Sequence, residues 1–144
     1  MGRWNFMGTY MSELEKLFGI EYIGFKGQDA IDKLLKEQQG HIKMAFWRYD
    51  LGWIDALWGN EEVGLKHILV RRAEQGIDGY EFLKDVAEVI EKGKLRGKNE
   101  RGNYEIWYNQ KMVVIAPEFK GHKVTLLLTS YRQRKEAKPL KNSL

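Results

Sequence analysis

Of the three histidines in this 144-residue chain, His41, His67 and His122, His67 stands where acid–base chemistry is conceivable. It lies within Trp58-Gly-Asn-Glu-Glu-Val-Gly-Leu-Lys-His-Ile-Leu-Val-Arg-Arg72, whose spacing predicts a short helix. At about 100° per residue, Leu65, Ile68 and Leu69 share the face to be buried. His67 falls roughly opposite, beside Gly64 and Arg71, which lie three before it and four after it. It therefore points away from its helix's apolar side, with a small residue beside it and a cation in reach. An exposed surface histidine fits the same spacing.

A second group closes the last predicted strand. Side chains alternate along a strand, so Val124, Leu126, Leu128 and Ser130 share one face and Thr125, Leu127, Thr129 and Tyr131 the other. Thr129 and Tyr131 then project together, next to Arg132. Two hydroxyl donors beside a guanidinium suit a phosphate, although threonine and tyrosine are also ordinary strand residues. Together the two groups contain the parts for metal-free RNA cleavage. A histidine can take the proton of a ribose 2′-hydroxyl. Arg71, Arg72, Arg132 or a lysine such as Lys66 or Lys94 can steady the anionic phosphorane. Tyr131 can orient the phosphate or assist the leaving oxygen.

Composition narrows the field. The chain carries 43% hydrophobic and 31% charged residues, which fits one ordinary globular domain. It lacks cysteine, so disulfides and thiolate metal sites are impossible. No H-E-x-x-H spacing occurs, and only magnesium held by a few carboxylates remains open. No apolar run approaches the ~20 residues of a membrane span, and the N-terminus has no signal-peptide pattern. A net charge of +4 and a pI near 9.2 mildly favour a polyanionic partner. The basic residues concentrate in Lys92–Arg101 and Arg132–Lys141.

The elements that must position these residues follow from period and capping. Ser12-Glu-Leu-Glu15 is a capping box for a short helix ending at Gly19. Gly27–Gly40 reads as a second helix, with Ile31, Leu34, Leu35 and Gln38 on one side. From Ile42 the period becomes two, and 42–47 and 53–58 form a hairpin. After the His67 helix, Asp78 and Glu81 cap the clearest helix, with Phe82, Leu83, Val86, Val89 and Ile90 on one face and Gly93 as its stop. It is core packing, without chemistry. Strands 104–108, 112–116 and 122–131, joined by short turns, imply an antiparallel sheet.

Four stretches occur in order: Gly40-His-Ile-Lys-Met-Ala-Phe-Trp-Arg48, Gly52-Trp-Ile-Asp-Ala-Leu-Trp-Gly59, Gly64-Leu-Lys-His-Ile-Leu69 and Leu127-Leu-Thr-Ser-Tyr131. Together they resemble the phage-associated nuclease-like domains of the barnase–EndoU–colicin–RelE superfamily, from about Lys26 to Arg132. The resemblance implies an α+β fold with N-terminal helices packed on an antiparallel β-sheet. It also implies a metal-independent ribonuclease without cofactor, often a toxin or effector, with an acidic immunity protein as a conceivable partner. It would act in the cytoplasm, in a bacterial or phage setting, alone or as part of a larger delivered protein. Residues 1–25 would be a helical extension, 26–132 the nuclease-like domain and 133–144 a basic tail. Carried over, it makes His67, Thr129 and Tyr131 catalytic. Relatives often show a second histidine five places after the first, where this chain has Arg72; His122 is the alternative second acid. Two other readings stay open. One is a silent RNA- or inhibitor-binding module in which Trp107 and Tyr108 stack bases, and the other is a structural phage-particle domain.

Overall fold

The alternation that begins at Ile42 resolves into one mixed sheet in the computed structural model, which describes residues 16–132. The expected cap at Ser12 and Glu15 and the tail 133–144 lie outside those residues. The elements are β1 (Glu21–Tyr22), α1 (Gln28–Glu37), β2 (His41–Arg48), β3 (Gly52–Leu57), α2 (Leu65–Glu74), α3 (Gly79–Leu83), α4 (Val86–Lys92), β4 (Lys94–Lys98), β5 (Tyr104–Tyr108), β6 (Lys111–Phe119) and β7 (His122–Arg132). They make an α+β protein with a seven-stranded sheet in the order β1-β2-β3-β7-β6-β5-β4.

The expected sheet was antiparallel, and the observed one is mixed. β1 runs parallel to β2, and β3 runs parallel to β7. A parallel pair needs a crossover of a dozen or more residues. Helix α1 supplies it between β1 and β2, and the whole run from α2 to β6 separates β3 from β7. Most helices accordingly lie in the middle of the chain rather than at its N-terminus. Residues 21–22, beyond the short helix expected to end at Gly19, form the β1 edge.

The other differences are local. The capped helix breaks at Lys84–Asp85 into α3 and α4, although Asp78 caps it as expected by accepting from the Tyr80 and Glu81 N–H groups. Both halves still bury the predicted apolar face, and the break lets Asp85 pair with Lys111. β4 was hidden inside the basic run. Its Leu95 and Gly97 are buried while Lys94 and Lys98 face water, and lysines on an edge strand discourage edge-to-edge pairing. In β2 the alternation fails after Ile42, because Ile42 pairs Ala56 and Phe46 pairs Ile54. The extra residues bulge outward, leaving Met44 exposed at φ +57° and Ala45 buried.

Residues of α1, α2, α3 and α4 pack with Phe46, Ile54, Ile106, Val113, Ile115 and Leu127 into the main core. A smaller cluster of Leu57, Val63, Ala116 and Leu126 is covered by Leu17 and Phe18. Between the two halves of the sheet, β3 and β7 register only at Asp55 and Leu126. Beyond that pair the next link is made by the cap of α2, where the Gly64 N–H donates to the Leu128 carbonyl at 2.9 Å. Gly64 holds φ +90°, and a Cβ there would stand 2.8 Å from the Leu57 and Trp58 carbonyl oxygens. Sequence reading took this glycine as room for His67; it is needed instead for backbone contact. Gly64→Ala should therefore cost about 1–3 kcal/mol, read as a melting temperature lower by roughly 2–8 °C per kcal/mol. An unchanged melting temperature would mean that the junction tolerates a side chain.

Candidate functional site

His67 is positioned by backbone on both sides. Two orphan N–H groups at the start of α2 find carbonyls, Gly64 on Leu128 and Lys66 on Trp58 at 2.9 Å each, so no side-chain cap is needed. The preceding loop is shaped by Asn60, whose Oδ1 accepts from the Glu62 and Val63 N–H groups at 2.8 and 3.2 Å. That turn brings the Glu61 carbonyl to 2.8 Å from His67 Nδ1. A carbonyl can only accept, so Nδ1 must carry the proton. In the neutral ring Nε2 then keeps its lone pair, the state a general base requires. Leu65 and Ile68 are buried as the wheel predicts, and His67 is half-exposed.

The strand side depends on a bulge. Val114 pairs Thr129, but Ile115 pairs Leu127, so Leu128 is the extra residue in β7. Cross-strand partners project to the same side. Leu127 therefore faces the main core with Ile115, while Thr129 and Tyr131 turn to the opposite side with Val114 and Met112. The expected pairing of Thr129 with Tyr131 holds; their sharing a face with Leu127 does not. Without the bulge both hydroxyls would be driven into the core.

Arg72, near the end of α2, completes this wall. It is 4% exposed, and its Nη1 donates to the Ser130 carbonyl at 2.9 Å. The guanidinium lies 5.3 Å from the Phe82 ring centre and 5.7 Å from that of Tyr131. Two polar atoms here are buried without a protein partner, Arg72 Nε and Thr129 Oγ1. Burial lowers the Arg72 pKa, yet arginine remains cationic at any working pH. Burial, reinforced by the negative charge of Glu105, raises the Tyr131 phenol above its ordinary value. It stays protonated and can donate.

His67, Arg71, Arg72, Thr129 and Tyr131 line one open cleft of about 860 Å³. Its far wall is the β4–β5 turn, which sequence reading left out: Asn99, Glu100, Arg101 and Asn103. Asn99 Oδ1 accepts from the Arg101 and Asn103 N–H groups at 3.0 and 3.1 Å. Its Nδ2 donates to Glu105 at 3.3 Å. Glu105, buried and also accepting from Trp107 Nε1 at 3.2 Å, ties the turn to the sheet. The dense Asn/Gly spacing of Asn99-Glu-Arg-Gly-Asn103 was the available signal, masked by its place in a basic run. Glu62 and Gln75 line the cleft as well.

The remaining candidates go elsewhere. Lys66 and Arg132 are exposed and do not line the cleft. Lys94 lines a different cleft with Trp47 and Tyr49. His122 opens β7, roughly 25–30 Å of strand from Tyr131, so it cannot act as the second acid. Trp107 and Tyr108 are half-buried, with Trp107 bonded to Glu105 and Tyr108 packed on the core. Neither lines the His67 cleft. Among the described residues no cluster of three or more His, Asp or Glu side chains could hold a metal ion, and no helix is long and apolar enough to cross a membrane.

His67 with its proton on Nδ1, the Thr129 and Tyr131 hydroxyls and the fixed Arg72 guanidinium form a group of polar side chains that suits a phosphodiester. Residues 45–137 match the family described as phage-Barnase-EndoU-ColicinE5/D-RelE like nuclease1, and the chain belongs to it. The matched span includes every residue lining the cleft and begins after α1. No curated protein and no solved structure gives a match.

If Arg72 and Thr129 hold an anion, inorganic phosphate should raise the melting temperature. The gain is about 2.7 kcal/mol at a hundred times Kd. Arg72→Met should lose that increment, whatever its own stability. An equal increment in both proteins would remove the anion site from this cleft.

Proposed function

We propose that the cleft is the active site of a metal-independent endoribonuclease. The observation that carries this reading is the pair of buried, unpartnered donors, Arg72 Nε and Thr129 Oγ1, beside a histidine whose Nε2 is free to accept a proton. Leaving a buried donor unpaired costs about 1–3 kcal/mol, a penalty that a phosphate oxygen would remove. In this reading His67 Nε2 takes the proton of a ribose 2′-hydroxyl, and the 2′-oxygen attacks the adjacent phosphorus. The bond to the 5′-oxygen breaks, leaving a 2′,3′-cyclic phosphate. Arg72, Thr129 and Tyr131 donate to the non-bridging oxygens as negative charge builds on them. Tyr131, held protonated by burial, can donate to the phosphate or assist the leaving oxygen, which is otherwise protonated by the His67 imidazolium or by water. DNA, lacking the 2′-hydroxyl, would bind without being cut.

Incubating the purified protein with RNA in the presence of a chelator should give fragments with cyclic-phosphate ends. His67→Ala should slow their formation by ~10²–10⁴ without unfolding the protein, because His67 lies off the packed face of α2. Wild-type rates in a folded His67→Ala protein would sink the assignment. Loss of cleavage in chelator, restored by one added metal, would overturn the metal-free scheme.

The hydroxyls make a separate test. Tyr131→Phe and Thr129→Val should each lower turnover, by up to the ~2.7–4 kcal/mol of barrier lost with an oxyanion donor. Tyr131→Phe should move stability by less than ~1 kcal/mol, whereas Thr129→Val, which removes a buried unpartnered hydroxyl, should raise it by about 1–3 kcal/mol. Tyr131 is neutral below its raised pKa, so the loss in Tyr131→Phe should be the same factor from pH 5 to 9. A loss confined to the alkaline limb would mean that Tyr131 acts by ionising. Unchanged turnover in both variants would favour the silent RNA-binding module.

A further inference from the structure

At the hairpin end of β2 and β3, Trp47 and Trp53 are cross-strand partners. Their rings lie 5.2 Å apart, tilted by 60°, and they are 56% and 44% exposed. Tyr49, in the same turn, is 90% exposed. Large aromatics grouped in this way on a surface mark a contact site more often than isolated ones do. Lys26 Nζ sits 4.6 Å over the Trp53 ring and donates to the Met44 carbonyl at 2.7 Å, a carbonyl presented by the β2 bulge. An ammonium has three donors, so others remain for a ligand. The indoles flank a cleft of about 320 Å³ whose floor includes Phe46 and Ile90 and whose rim includes Lys26 and Glu91. On the other side of Trp47, Tyr49 shares a second cleft with Lys92 and Lys94.

We propose that this hairpin face binds single-stranded RNA, with bases stacked on Trp47 and Trp53 and phosphates held by Lys26 and Lys94. The proposal rests on the reading of RNA as substrate and extends its track beyond the cleft. The indoles meet at a tilt of 60° and Lys26 lies over the Trp53 ring, so a base stacks on Trp47, and on Trp53 where its phosphate draws the Lys26 ammonium off the ring. Lys26 on one side and Lys92 and Lys94 on the other outnumber Glu91, which lines both clefts, while Asp50 is paired with Arg48, so the face suits a polyanion better than an apolar protein surface. This end of β3 lies about 13 Å of strand from Leu57, where the chain leaves for α2.

The test is fluorescence anisotropy with a labelled oligo-adenylate carrying 2′-O-methyl sugars. That RNA has no nucleophile, so the result is independent of whether His67 cleaves anything. Trp47→Ala and Trp53→Ala should each weaken binding roughly 5- to 150-fold, the range for one stacked base. Lys94→Ala should weaken it and lower the salt slope by about one. Single-stranded DNA of the same length should bind comparably, since stacking does not need the 2′-hydroxyl. Alanine can unsettle a paired hairpin, so a second measurement follows the quenching of tryptophan fluorescence by the RNA, which should fall in Trp47→Phe and in Trp53→Phe. Wild-type affinity in the alanine variants, or quenching unchanged in both phenylalanine variants, would overturn the proposal. So would a wild-type protein that binds no RNA. Unchanged RNA affinity with altered sedimentation in the same variants would mark the face as a protein contact instead.

Discussion

The hydrogen bond from the Gly64 N–H to the Leu128 carbonyl is the contact on which the arrangement of the cleft depends. It lies where β3 and β7, registered at a single pair, cease to be neighbours. His67 follows Gly64 by three residues on a helix, and Thr129 follows Leu128 directly on a strand. Both groups are thus referred to one backbone bond rather than to flexible side chains, which is how a site holds tight tolerances. The requirement for Gly64 has the same origin. The backbone must pass so close to Leu57 and Trp58 that a Cβ has no room.

The bulge at Leu128 is the second half of this junction. It leaves Leu127 in the core and turns Thr129 and Tyr131 away from it. An extra residue in one strand is often found beside active sites because it re-aims a side chain. Here it re-aims two, while Ser130 between them stays buried and bonds the Met112 carbonyl at 2.9 Å. The strand can therefore present polar groups to the cleft without a gap in the packing behind them.

Arg72 shows what burial does to a cation. Removing a guanidinium from water is expensive, and only part of that is offset by the Ser130 carbonyl and the faces of Phe82 and Tyr131. A lysine could not replace it, because only the planar group can stack between rings while pointing a separate N–H elsewhere. Arg72 thus holds, beside Tyr131, a charge that does not titrate at working pH.

Much of this was legible in the residues. The four spaced motifs led to the family, periodicity located α1, α2 and the hairpins, and Asp78 marked its cap, since these depend on neighbours within a few positions. Helical spacing also separated His67 from Leu65 and Ile68. Other features had no local signal. β4 read as a basic run because an edge strand needs only Leu95 and Gly97 buried. Lys94 and His122 were plausible by charge and type, but the sheet order carries one to another cleft and the other to the far end of β7. The parallel pairing of β3 with β7 joins residues about seventy positions apart in sequence. By itself the sequence determined which elements carry His67, Arg72, Thr129 and Tyr131. Only the tertiary structure decided which of them meet, because the bulge at Leu128 and the splay of β3 from β7 arise from long-range packing rather than from any local preference.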